Sequence, residues 1–106
     1  MEITDYKIFV KTHGKVLFEG KEFALNLGDA LIALQLLKEL NIAVLGGDVY
    51  FRNRDSIEPG YANWHTDRIH GESDFDYCQR TWAETEQYLT KFPKYSNLAP
   101  LFVFVT

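Results

Sequence analysis

The sequence predicts an α+β domain over residues 1–106, a small, mainly antiparallel sheet covered by a leucine-rich helix and a carboxy-terminal helix. Three observations carry that prediction. Asn26 to Leu40 holds leucines at helical spacing. Ile42 to Phe51 is an apolar, largely β-branched run that passes into strict alternation. Asp74 to about Lys91 repeats apolar residues every three or four positions, and the chain then closes on the strand-like Leu101-Phe102-Val103-Phe104-Val105-Thr106.

The first segment, Thr4 to Leu27, admits two readings. Asp5 can cap a short helix through Tyr6, Phe9 and Val10 that Gly14 ends. Alternatively, Ile8-Phe9-Val10 and Val16-Leu17-Phe18 form a hairpin around His13-Gly14. The helix is the preferred reading, and Glu22-Phe23-Ala24-Leu25 follows as a short extended segment. In the leucine-rich helix Asn26 is the cap, and Asp29 meets the positive end of the helix dipole. Leu31, Ile32, Leu34, Leu36, Leu37 and Leu40 wrap most of its circumference, so it should be covered on more than one side. Asn41 is a left-handed terminator.

The next strand is expected to start buried at Ile42 and to kink at Gly46-Gly47, where the glycines mark a bulge or a close backbone approach. Alternation then puts Asp48, Tyr50 and Arg52 on one face and Val49 and Phe51 on the other. Asn53-Arg54-Asp55-Ser56 and Glu58-Pro59-Gly60 read as turns, and Tyr61 to Thr66 as an antiparallel partner strand. Ser73 caps the last helix, whose apolar stripe reads Phe75, Cys78, Trp82, Thr85, Leu89 and Phe92. Lys91 and Lys94 suit its negative end, and Pro93 stops it.

Charge and cysteine content exclude several functions. Lysine plus arginine count 11 against 15 aspartate plus glutamate, a net charge of −4. An acidic chain is poorly suited to a phosphate backbone, so nucleic acid is not an expected partner; a basic protein is a better candidate, and the other reading of the charge is that it merely keeps the domain soluble. The single cysteine, Cys78, rules out an intrachain disulfide and zinc sites built on cysteine pairs, and its place on the stripe makes it a small core residue. The amino terminus lacks a secretory-signal pattern and no apolar run reaches membrane-spanning length, so the chain is expected in the cytoplasm, away from membranes. His65, Asp67, His70 and Glu72 are close in sequence and each is a potential metal ligand. A small hydrolase, metal-dependent or not, is therefore one reading of that cluster; ordinary polar groups near a turn are the other. No recognised spacing calls for a metal or cofactor.

The order of a leucine-rich helix, an Asn41-Ile42 turn, Val44-Leu45-Gly46-Gly47-Asp48-Val49-Tyr50, Ile57-Glu58-Pro59, Tyr61, Asn63-Trp64, Gly71-Glu72-Ser73 and a final helix resembles the immunity protein 40 family of bacterial polymorphic-toxin systems. The resemblance runs from about Phe23 to Thr106, with Gly46-Gly47-Asp48-Val49-Tyr50 its most distinctive part. It implies a non-catalytic inhibitor that binds and neutralises a toxin made by the same or a neighbouring cell, as in contact-dependent inhibition. Strand alternation suggests where. Asp48, Tyr50, Arg52, Glu58, Tyr61, Trp64 and Asp67 are expected to surround a toxin-binding patch with an acidic rim, while Gly46 and Gly47 are structural. Trp64 has two readings, an interface anchor or a core tryptophan.

Overall fold

The computed structural model describes residues 2–17, 22–54, 56–93 and 99–106. Phe18, Asp55 and Lys94, each part of an expectation above, lie outside the described residues.

The amino-terminal segment begins as a helix, α1 (Ile3–His13). Asp5 does not precede it as a cap but lies in its first turn, where its carboxylate accepts from the Glu2 N–H at 2.8 Å. Strands β1 (Lys15–Leu17) and β2 (Glu22–Ala24) then pair antiparallel, so this region holds a helix followed by a short hairpin. Helix α2 (Leu27–Glu39) is capped by Asn26, whose side chain accepts from the Asp29 N–H at 2.8 Å. Its end is a Schellman turn. Asn41 takes a φ of 57°, and the Ile42 and Asn41 N–H groups return to the Leu37 and Lys38 carbonyls.

Strands β3 (Gly46–Asn53), β4 (Ser56–His65) and β5 (Ala99–Val105) form an antiparallel sheet in the order β4-β3-β5, with β3 in the centre. The expected buried strand at Ile42 is corrected, because the ladder starts only at Gly46. Helix α3 (Asp74–Lys91) supplies the missing backbone partners. The Val44 N–H donates to Thr81 Oγ1 at 3.1 Å, and Trp82 Nε1 donates to the Ile42 carbonyl at 2.7 Å. The expected turn at Glu58-Pro59-Gly60 is also corrected, since these residues belong to β4. Pro59 is tolerated there because β4 is an edge strand.

Helix α3 keeps its Ser73 cap, which accepts from the Asp76 N–H at 3.1 Å. Its buried stripe is Tyr77, Thr81, Trp82, Thr85 and Leu89. Phe75 is 61% exposed, because cover in the first turn comes from Tyr77, whose hydroxyl donates to the Thr66 carbonyl at 2.6 Å. α2 and α3 lie on one face of the sheet. Leu25, Ala30, Ala33, Val49, Trp64, Leu89 and Phe102 form the main cluster there, and Leu34, Leu37, Val44 and Trp82 extend it between the helices. A smaller cluster on the opposite face joins Leu17 and Ala24 of the hairpin to Leu101 and Val103 of β5, with Tyr50 and Ile57 packed against it. The leucine-rich helix is thus contacted by α1, α3 and β5, as its wide apolar surface requires.

Candidate partner-binding site

Register decides which side chains of β3 and β4 share a face. Asp48 pairs with Asn63 and Val103, whereas Gly47 pairs with Trp64 and Phe104. Directly opposed residues point the same way, so Asp48 looks away from the helices and Trp64 towards them. The pairing slips between Val49 and Tyr50. Val49 faces Ala62 but Tyr50 faces Pro59, which leaves Gly60 and Tyr61 as an insertion in the edge strand. Two extra residues preserve the alternation on either side of the slip.

The seven residues expected at the patch therefore divide. Asp48 and Arg52 are exposed on the outer face. Tyr50 shares that face but is half-buried against the hairpin cluster, and its hydroxyl pKa is pushed up by burial and by the carboxylates of Glu22 and Asp48. Glu58 is exposed but pairs with Phe51, which puts it on the helix side by register. Tyr61 stands on the insertion, 93% exposed. Asp67 is exposed just past β4, with His65 Nε2 at 3.7 Å from its carboxylate.

Trp64 is a core residue. It is 8% exposed, its Nε1 donates to Thr85 Oγ1 at 3.0 Å, and its ring stacks on Tyr88 at a centroid distance of 4.6 Å. Phe102 and Phe104 meet the same ring edge-on. This also explains the glycine pair. A methyl group on Gly47 would collide with the Trp64 ring and the Val103 carbonyl, and one on Gly46 with the Trp64 carbonyl. The glycines serve close approach, not a kink.

The metal-ligand reading fares differently. Among the described residues, no three His, Cys, Asp or Glu side chains come together as a metal site. Glu72 is committed to Arg80, which donates to both its carboxylate oxygens at 2.8 and 2.9 Å. That bidentate pairing leads the causes that hold the Glu72 carboxyl down to about 2. Arg80 also reaches Glu84 and the Asp67 carbonyl, while Arg68 lies over the Tyr77 ring and pairs with Asp74 at 2.8 Å. The segment carrying Asp67 is thus tied to α3 by side chains from both sides.

Two hollows flank this segment. One, of about 470 Å³, opens at the glycine end of the sheet and is lined by Gly46, Gly47, Asp48, Asn63, Asp67 and Arg68, among others. It brings together Asp48 and Asp67 from the expected patch. The other, of about 510 Å³, runs between β4 and α3, with Trp64, Tyr88 and Phe92 beside His65, Glu84 and Lys91. Sequence reading missed this second hollow, because its walls come from β4 and the far end of α3. The Arg80–Glu84 spacing of one helical turn was the visible part of the Arg80 network. No described helix is long and apolar enough to cross a membrane.

The family model for immunity protein 40 matches residues 11–106. Neither curated proteins nor solved structures provide a match.

Proposed function

The chain belongs to the immunity protein 40 family, and from that membership we propose that it neutralises a cognate toxin by stoichiometric binding, with no catalytic turnover. The observation that carries the proposal is the family match over residues 11–106. The reading places the chain in the cytoplasm of a bacterium that carries a polymorphic-toxin system, where it meets toxin delivered by contact with a neighbour.

The binding surface proposed is the outer side of the β3–β4 hairpin and the glycine-end hollow, with Asp48, Arg52, Tyr61 and Asp67 as its principal residues. Exposure of all four supports this choice, and so does the acidic charge of −4, which suits a basic toxin domain. Trp64 drops out as a direct contact; its part is to hold the sheet beneath the surface.

Co-expression with the toxin domain encoded in the adjacent reading frame tests the function. The proposal expects growth to be rescued and a one-to-one complex to be recovered, with association slowing as salt is added. Absence of both rescue and complex would contradict it. Asp48→Ala is expected to leave stability within about 0.5 kcal/mol of the parent, as exposed positions do, and to reduce protection at low toxin excess. Full protection by that variant would move the surface to the outer side of α3 around Gln79, Glu84 and Glu86.

A further inference from the structure

We propose that Tyr61 is a strained anchor, held out by the β4 insertion to enter a pocket on the toxin. Among the described residues, three non-glycine ones take positive φ, Asn41, Arg54 and Tyr61. Asn41 ends a helix and Arg54 lies in the β3–β4 connection, both ordinary places for that conformation. Tyr61, at φ 54°, is inside a strand. There the left-handed region sets a β-carbon against its own carbonyl, and an aromatic residue has no side-chain hydrogen bond to offset this.

The fold makes room for the distortion. Gly60, the other inserted residue, lies over Phe51, where a β-carbon would sit 2.7 Å from the ring. The ring of Tyr61 gains little within its own chain, since it is 93% exposed, the highest value among the exposed large apolar residues described. A conformational cost without packing in return points outward, because strain of this kind survives where function uses it. Tyrosine suits the role, being large, rigid and amphipathic.

The occupant is the toxin rather than a second copy of this chain. β4 is an edge strand of the three-stranded sheet, but Pro59 and the insertion interrupt its ladder, which blocks edge-to-edge pairing. Exposed charges flank the insertion on both faces, Asp48 and Arg52 on the outer one and Glu58 on the helix side, and with a net charge of −4 on the chain the matching pocket carries a basic rim.

This inference rests on the immunity reading, and the test separates the two. The probe is the catalytically inactivated toxin domain encoded beside this chain. Asparagine tolerates the left-handed region and removes the ring. Tyr61→Asn is expected to melt at or above the wild-type temperature while binding the probe roughly thirtyfold more weakly. Tyr61→Phe, which keeps the ring, is expected to bind within about threefold of wild type. Wild-type affinity in Tyr61→Asn, or a lower melting temperature, would overturn the anchor while leaving the immunity reading intact. A wild-type chain that does not bind the probe overturns both. A wild-type dimer in solution that Tyr61→Asn dissolves would reassign the anchor to self-association and overturn the toxin as its occupant.

Discussion

Trp64 and Tyr61 are aromatic residues of the same strand with opposite surroundings. Trp64 is 8% exposed, hydrogen-bonded to Thr85 and packed among Tyr88, Phe102 and Phe104. Tyr61 is 93% exposed and conformationally strained. The difference teaches that residue type does not mark an interface. Exposure is set by register, which sends one ring into the helices, and by the insertion, which sends the other out of the sheet.

The largest effect that sharpens this comparison is expected at Trp64. Trp64→Ala removes a buried ring and leaves Thr85 without its donor, so denaturant unfolding should register a loss of about 3–5 kcal/mol. A loss near zero would place the ring outside the core and undo the contrast. A smaller effect is expected beneath the same ring. Gly47→Ala forces a methyl group against Trp64 and the Val103 backbone, and overpacking of this kind costs about 1–3 kcal/mol, readable as a lower melting temperature. An unchanged melting temperature would mean that the close approach is not needed.

The smallest effect concerns pH. The Glu72 carboxyl is lowered from 4.5 to about 2, first by its hydrogen bonds to Arg80. A depressed folded pKa adds stability above the unfolded value and loses it as pH falls through the folded one. The window therefore lies between about pH 4.5 and 2. Wild type should lose more stability across that window than Glu72→Gln, whose side chain does not titrate. Parallel curves for the two proteins would show that the Arg80 pairing contributes nothing to folding.

What could be read from sequence was mostly local. Asn26, Asn41 and Ser73 mark helix ends through bonds within a few residues, and all three serve as read. The alternation of Asp48, Val49, Tyr50, Phe51 and Arg52 is equally local, and the exposure of Asp48, Val49 and Arg52 follows it. The misread stretches depend on distant partners. Ile42 and Val44 look like a strand, yet their backbone groups go to Trp82 and Thr81, about 40 residues away. Pro59-Gly60 looks like a turn until the edge position of β4 is known. Tyr50 looks like surface until the β1–β2 hairpin covers it. For Trp64 a signal was present, since its odd spacing from Tyr61 already separates the two in an alternating strand. Nothing local announced that Glu72 is taken by Arg80, so the His65–Glu72 cluster kept two readings, metal ligands or ordinary polar groups near a turn.

The central claim is inhibition by occupancy. Its most direct measurement titrates the purified chain into a fixed amount of active toxin domain and follows residual toxin activity. The account predicts a linear fall that ends at one molar equivalent and stays there. Complete inactivation of the toxin by a small fraction of an equivalent, growing with time, would contradict it.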